Sequence, residues 1–499
     1  MWRDIREDIT IDRQGSQPLY WQLYWQLRQL ILQGKVLPGM PLPPSRQLAQ
    51  QVGVARVTVL QALDQLAAEG YIARKRGAGT FVAESLPLPP VPRSAAPTAL
   101  PPLSEWGRRM AAMLEADING SAPVRYLARG GETAVPDIID FGFGRTFAHI
   151  FPYDIWRRLL ARYLGADDII LARYGSVAGF APLREAVADH LVRLRGVRCT
   201  PDQVVIVSGA QQTLDILSRL LLNHGDTVLV ETPGYRDAFD LFRVHGARLA
   251  ALPVDEEGFP TEQIPANSPA RLAFVTPSNQ FPRGGSMSLP RRLALLQWAG
   301  RQDAFIIEDD YDGELRYDGH PHAALQGLDE DGRVVYLGTF SKVLFPALRL
   351  AYVVLPPALV TPFVQAKRLL DRGAPTLTQA AVADFIQEGH FDRHLRHLRD
   401  AYGQRRRALV QALQTYLPGR ARYAAVAAGL HVMLYLDGCV EADVLWRAAE
   451  QGVRVYPGAL YHVQQPSPPS ILLGFSGLSE ADIAEGIRRL AGVFGESGV

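Results

Sequence analysis

The residues most capable of chemistry gather around one lysine. Val334-Val335-Tyr336-Leu337-Gly338-Thr339-Phe340-Ser341-Lys342 reads as a buried strand running into a Ser-Lys turn, with Arg349 shortly after it. An ammonium straight after an apolar strand is costly to desolvate. The cost has a use when the lysine gives up its proton and becomes a nucleophile towards an aldehyde. Upstream, Ile306-Ile307-Glu308-Asp309-Asp310-Tyr311 is an apolar run ending in acids and a tyrosine. Pyridoxal phosphate (PLP) needs a lysine for its aldehyde, a carboxylate for its ring nitrogen and donors for its phosphate. A Ser-Lys turn alone carries no such meaning; the acids and Arg349 give it one.

Those residues need a scaffold, and alternating strand and helix patterns supply an α/β sheet with crossover helices. Val204-Val205-Ile206-Val207 is a strand, and Ser208-Gly209-Ala210-Gln211-Gln212 opens a helix after it. Such a junction presents free N–H groups and a positive dipole end, which suit a phosphate. Thr227-Val228-Leu229-Val230 is the next strand, followed by Glu231-Thr232-Pro233-Gly234-Tyr235, where Tyr235 could stack on a flat ring or equally be a packed surface aromatic. Leu272-Ala273-Phe274-Val275 leads to Thr276-Pro277-Ser278-Asn279-Gln280-Phe281-Pro282. The acid strand reads as ending at Asp309 and the lysine strand at Lys342. Ligands of open α/β sheets collect at such carboxyl ends.

Residues 10–83 are organised differently. Leu19, Leu23, Leu27, Leu30 and Ile31 recur at helical spacing after Pro18, and Gly34 is a stop. Ser45 is expected to cap a second helix containing Leu48, Ala49 and Val52, and Gly53 to take positive φ. A third helix carries Val59, Leu60, Leu63, Leu66 and Ala67 and stops at Glu69-Gly70. Tyr71-Ile72-Ala73 and Thr80-Phe81-Val82 read as strands around Arg74-Lys75-Arg76-Gly77-Ala78-Gly79. This is a helix-turn-helix with a basic wing. Arg56 and Thr58 open the third helix, near Arg46, and suit base edges or phosphates; Arg74, Lys75 and Arg76 suit the backbone of double-stranded DNA. The competing reading is a protein-binding three-helix module with a solvated turn.

Between the two lies a stretch rich in proline, Leu86-Pro87-Leu88-Pro89-Pro90-Val91-Pro92 and Leu100-Pro101-Pro102, which is stiff and extended. Trp106 to Leu114 is expected to form a helix that docks on the large domain. The expected division is 10–83 for the winged helix, 84–135 for linker and docking segment, and 136–499 for the large domain, with the boundary between 120 and 140.

Composition bounds the rest. The 499 residues carry a net charge of +1, so nucleic-acid affinity must come from a local patch. Two cysteines, Cys199 and Cys439, fit a reduced cytoplasmic protein with neither a disulfide framework nor a metal cluster. Met1-Trp2-Arg3-Asp4-Ile5-Arg6-Glu7-Asp8 is charged where a secretory leader is apolar. No apolar run approaches the roughly 20 residues that span a bilayer, and no membrane association is expected.

Leu42-Pro43-Pro44-Ser45-Arg46-Gln47-Leu48-Ala49, Gly53-Val54-Ala55-Arg56-Val57-Thr58-Val59, Leu66-Ala67-Ala68-Glu69-Gly70-Tyr71 and Gly79-Thr80-Phe81-Val82 resemble the winged helix of GntR-type bacterial regulators. The larger part resembles the fold-type I PLP enzymes, the aspartate aminotransferase superfamily. Ser208 to Gln212, Glu308-Asp309-Asp310-Tyr311-Asp312-Gly313-Glu314 and Gly338 to Lys342 resemble more closely still the MocR subfamily of GntR regulators, which join these two parts. The resemblance implies an N-terminal winged helix-turn-helix plus an α/β fold-type I aminotransferase-like domain. It implies Lys342 as the Schiff-base lysine, Asp309 at the pyridine nitrogen, Tyr311 at the ring hydroxyl and Tyr235 against the ring. Gly209, Ala210, Gln211, Thr339 and Arg349 would hold the phosphate, Tyr174 would reach the partner subunit's phosphate, and Asn279 would sit in the loop facing the ring hydroxyl. It also implies a head-to-tail homodimer on paired DNA half-sites.

Three departures stand out. The acid and tyrosine are two apart where many aminotransferases have three, so Asp310 stands as a second candidate for the pyridine nitrogen. Asn279 stands where the subfamily often has histidine. Leu472 or Leu473 occupies the place of the arginine that clamps a substrate α-carboxylate; Arg236 and Arg454 are candidate substitutes, although such arginines are more often simply solvated. The leading expectation is a PLP-binding transcriptional regulator that senses PLP, or an amine or amino acid. The second is an active aminotransferase with an accessory DNA-binding domain, and the third a degenerate domain without cofactor.

Overall fold

The computed structural model describes residues 8–75, 77–86, 103–119, 138–146, 148–164, 173–319, 322–424, 427–464 and 466–495. The chain divides into two compact units, the second beginning at Leu103.

In the first unit, helices Leu19–Leu32, Ser45–Val52 and Arg56–Ala68 precede a hairpin of Ile72–Lys75 with Gly79–Val82. Leu23, Leu27, Leu48, Val59, Leu63 and Leu66 bury a small core, because apolar residues three and four apart share one helix face. Gly53 ends the second helix at φ +68°, which glycine adopts at no steric cost. Two local expectations need correcting. Ser45 is not a cap but the first helical residue: Pro44 holds the cap position without a side-chain bond, and the Ser45 hydroxyl accepts from Arg56 Nε at 3.2 Å. The first wing strand runs on through Arg74 and Lys75, which pair with Thr80 and Gly79. Cross-strand pairing thus draws these two basic residues out of the turn. Arg76 and residues 87–102 lie outside the described residues.

The second unit opens with helix Glu105–Asn119, where Arg109 Nη1 donates to the Val244 carbonyl at 2.9 Å. Its centre is, among the described residues, a seven-stranded sheet ordered Val204–Val207, Ala351–Val354, Val334–Thr339, Phe305–Asp310, Ala270–Val275, Thr227–Thr232, Arg248–Pro253. Neighbours are parallel except Ala351–Val354, which runs antiparallel to both of its partners. The short connection after Lys342 leaves no length for a crossover helix, so the chain returns antiparallel. Val205, Val230, Phe274 and Ile307 pack into a core on one face; Ile206, Leu229, Ala273 and Ile306 pack on the other. Burial on both faces explains the continuous apolar runs. The lysine strand ends at Thr339, leaving Lys342 in the turn, and the acid strand continues through Asp310.

The C-terminal part adds helix His390–Tyr416 and an antiparallel sheet of Ala421–Tyr423, His431–Leu436, Ser470–Gly474 and Tyr456–Pro457. Val453–Arg454 pairs in parallel with Ile139–Asp140. No helix among the described residues is long and apolar enough to cross a membrane.

Candidate functional site

Strand alternation sorts the acids at the end of Phe305–Asp310. Successive side chains point to opposite faces, so Asp309 parts company with Glu308 and Asp310. Glu308 accepts from the Leu325 and Gln326 backbone N–H groups, each at 2.8 Å. Asp310 Oδ2 takes Arg195 Nε at 2.8 Å and the Tyr336 hydroxyl at 2.6 Å. The Asp309 carboxylate makes no hydrogen bond or ion pair among the described residues, and it lines a cavity of about 210 Å³ together with Lys342. Asp310 is therefore committed to Arg195, and Asp309 is the acid that faces the lysine's cavity.

The cavity also presents Phe143, Gly209, Ala210, Gln211, Tyr235, Phe281, Tyr311, Thr339, Ser341, Pro346 and Arg349. Lys342 Nζ lies 4.3 Å from the centre of the Phe143 ring and makes no ion pair among the described residues. Its pKa is held below the ordinary lysine value by burial, against the pull of the Asp312 and Asp309 carboxylates. Asp309 is pushed up to about 7, by burial first and then by the neighbouring Asp310 charge. A less costly proton on the acid and a more labile one on the lysine are what a site awaiting a charged ring requires.

At the other end, helix Ala210–Leu221 starts at Gly209, φ +153°, with no side-chain cap. A Cβ on Gly209 would come 3.1 Å from Arg349 Nη2. The Arg349 guanidinium has no hydrogen-bond or ion-pair partner among the described residues. Uncapped N–H groups facing an unpaired guanidinium form an anion cup. Tyr235 heads helix Arg236–Val244, and its hydroxyl receives Gln211 Nε2 at 3.3 Å. Lysine, acid and anion cup thus lie in one cavity, and these residues fit PLP.

Two further expected residues do not line this chain's cavity. Asn279 is buried behind Tyr311, donating to its hydroxyl at 3.0 Å and to Asp312 at 2.8 Å, and does not line the cavity. Tyr174 is 85% exposed on the surface of the chain. The substitute arginines are engaged: Arg236 with Asp240 at 3.2 Å and Arg454 with Asp140 at 3.2 Å. Leu472 packs with Phe281, Tyr311 and Met433, whereas Leu473 faces the main core. Leu472 is thus the residue on the site's side of that strand. Phe143 escaped the sequence reading because it is far from the lysine in sequence. In the fold, Gly144 after it sits at φ +84°, and a Cβ there would meet Lys342 Nζ at 2.9 Å.

In the first unit, Arg46 and Arg56 are exposed in the first turns of their helices, with Thr58 half-buried beside Arg56. Val57, between them, is 61% exposed. Arg74 pairs with Asp64, and Lys75 meets Glu84 at 3.2 Å; all four are exposed. Among the described residues no group of histidine, cysteine and carboxylate side chains is placed to hold a metal, and both cysteines are free.

A winged helix followed by this sheet and cavity defines a DNA-binding module joined to a fold-type I aminotransferase domain. The family described as bacterial regulatory proteins, gntR family, matches residues 19–82, and aminotransferase class I and II matches residues 154–490. The chain is 39% identical to the "Probable rhizopine catabolism regulatory protein MocR" of Rhizobium meliloti, over 97% of this chain and 96% of that protein. It is 32% identical to the pyridoxine biosynthesis transcriptional regulator PdxR of Corynebacterium glutamicum, over 92% of each. Among solved structures it resembles LysN, an α-aminoadipate aminotransferase from Thermus thermophilus. There the TM-score is 0.68 and the identity 32%, covering 76% of this chain and 95% of that one. The chain belongs to the MocR subfamily of GntR-type transcriptional regulators. Its aminotransferase-type domain implies PLP as the family's cofactor.

Proposed function

We propose that this regulator binds PLP at Lys342 and couples occupancy of that site to DNA binding by residues 10–83, with 84–135 as the connection and 136–499 as the sensing domain. The observation that carries the reading is the meeting, in one cavity, of three unpaired charged groups: Lys342, Asp309 and Arg349. When bound, PLP supplies an aldehyde carbon for an amine and a ring that withdraws electrons. Lys342 offers the amine, and its lowered pKa keeps a larger neutral fraction available. Asp309 holds the ring nitrogen's proton, Tyr311 the ring hydroxyl, and Tyr235 lies against the ring. Asn279 acts from behind, fixing the Tyr311 hydroxyl. Gly209, Ala210 and Gln211 N–H groups, with Thr339 and Arg349, hold the phosphate. Tyr174, exposed here, serves the partner subunit's site in a head-to-tail homodimer.

Arg46, Arg56 and Thr58 address the major groove, and Arg74, Lys75 and Arg76 the backbone. Effector binding shifts the population between domain arrangements with different half-site spacing. Regulation is favoured over turnover by Leu472, which packs behind the cavity residues Phe281 and Tyr311 and offers no guanidinium for a substrate carboxylate. PLP itself is the leading effector, and an amine or amino acid the second.

The test is the visible absorbance of the protein titrated with PLP, alongside Lys342→Ala, and DNA binding with and without PLP. A new band in the wild type, lost in Lys342→Ala, together with altered DNA affinity, is expected. No band, or the same band in the variant, removes the assignment; sustained transamination in a steady-state assay would favour the enzyme.

A further inference from the structure

We propose that Lys367, Asp371 and Gln212 are positioning residues that set the phosphate end of the cofactor site from behind. The inference rests on the PLP reading above. Lys367 lies on helix Pro357–Leu370 with its side chain 0% exposed. Its ammonium meets both Asp371 oxygens at 2.9 Å. Asp371 Oδ2 also accepts from Gln212 Nε2 at 2.7 Å, and Gln212 Oε1 accepts from the Ser208 backbone N–H at 2.9 Å. Ser208 immediately precedes Gly209, the residue that opens the anion cup. None of the three side chains lines the cavity.

The order of these bonds matters. An ionised carboxylate only accepts, so Gln212 must turn its NH₂ towards Asp371 and its carbonyl towards Ser208. The buried ammonium keeps Asp371 ionised. Burial alone would push that carboxyl up, but the bonds from Lys367 and Gln212 and the Gly373 N–H hold it below its ordinary value. A lysine buried without such a partner would be expensive. One charge therefore fixes one amide, and the amide pins the turn. Asp371 also anchors the next turn, because its Oδ1 accepts from the Gly373 N–H at 2.8 Å. Between them Arg372 sits at φ +58°, its guanidinium 6.0 Å from the centre of the Tyr174 ring. The same carboxylate thus ties the turn before the phosphate helix to the turn beside Tyr174.

A pinned turn benefits only a ligand that carries a phosphate. The experiment measures dissociation constants of the full-length protein for PLP and for pyridoxal, which lacks the phosphate, in wild type, Gln212→Leu, Asp371→Asn and Lys367→Met. Gln212→Leu and Asp371→Asn are expected to weaken PLP about tenfold, the scale of a hydrogen bond to a charged group. Pyridoxal binding stays as in wild type. Lys367→Met is expected to act in the same direction; if it fails to fold, the other two variants still decide the matter. A wild type that prefers PLP, with variants that keep that preference, overturns the relay alone. Equal losses for PLP and pyridoxal overturn it too, since they mark a general structural defect. A wild type that binds neither compound overturns the PLP reading and the relay with it.

Discussion

In the winged helix, Arg46, Arg56, Arg74 and Lys75 lie exposed around a small apolar core; in the larger unit, Arg195, Glu308, Asp310 and Lys367 lie inside. The first arrangement leaves cations for a polyanion that arrives from outside. Outside the Lys342 cavity, the second gives each of these four buried groups an internal partner, because a buried charge without one costs several kcal/mol. Substitutions should therefore register in different observables. Folding and cofactor affinity should answer in the large unit, and salt-dependent DNA binding in the small one.

The largest effect is expected at Arg195. Its guanidinium is 2% exposed and joins Asp310 at 2.8 Å, Ser278 Oγ at 2.7 Å and the His322 carbonyl at 2.7 Å. Arg195→Met leaves a buried carboxylate behind and should cost about 3–5 kcal/mol, read by denaturant unfolding of the large domain. Adding Asp310→Leu should recover part of the loss. A cost under about 1 kcal/mol for Arg195→Met would mean that this buried pair behaves like a surface one, and the contrast between the units would collapse.

Asp309 comes next, and its neighbour is the control. Asp309→Asn should weaken PLP by about 10- to 100-fold, the worth of a hydrogen bond to a charged partner. Its pH signature without cofactor has a definite sign. The folded pKa stands near 7, above the ordinary carboxylate value, so the native state binds the extra proton. The stability this contributes is present below the ordinary value and lost as pH rises towards about 7. Asp309→Asn should flatten the profile in that window. If the variant follows wild type from acid to neutral pH, Asp309 is not the protonated acid in the cavity. Lys342 runs the other way: its lowered pKa means the unfolded state holds the proton more tightly. Its contribution to stability therefore rises with pH towards the ordinary lysine value.

Much of this was legible in the sequence because buried strands announce themselves. The apolar runs before Asp309 and Lys342 located two strand ends of the site, and the 3.6-residue spacing of Leu23, Leu27 and Leu30 gave the first helix. Alternation along a strand was needed to separate Asp309 from Asp310, and it becomes decisive only once the strand's extent is known. Phe143 arrives through pairing of Ile139–Asp140 with Val453–Arg454, a long-range contact that no local pattern encodes. The strand Ala351–Val354 escaped because its direction depends on the length of a connection, not on composition. Ser45 looked like a cap by type, yet its hydroxyl serves Arg56 instead. The family resemblance anticipated most cavity residues, but it gave no hint that Lys367 would be buried.

In the small unit, Arg56→Ala should cost about 1–3 kcal/mol at a cognate operator if its guanidinium reads a base edge. It should also relax the preference at that position. Ser45→Ala, which removes the acceptor that orients Arg56 Nε, should give a smaller loss in the same direction. Equal losses on cognate and unrelated DNA would move Arg56 to the phosphate-contacting class. Fluorescence anisotropy on the two DNAs separates these outcomes.

The smallest effect, and the sharpest for the contrast, belongs to Lys75 and Glu84. Both are exposed, and they meet at 3.2 Å. A surface pair of this kind contributes about 0–1 kcal/mol to folding, so Glu84→Gln should leave unfolding almost unchanged. DNA binding should respond nonetheless. Removing the acid frees Lys75 for a phosphate and takes a negative charge away from the duplex, so affinity should rise slightly at low salt. Lys75→Ala should lower affinity on all sequences alike and reduce the slope of log K against log salt by about one. A slope unchanged in Lys75→Ala would mean that the wing does not lie along the backbone. A clear loss of folding stability in Glu84→Gln would mean that the small unit, too, depends on matched charge, and the division drawn between the two units would then fail at its exposed end.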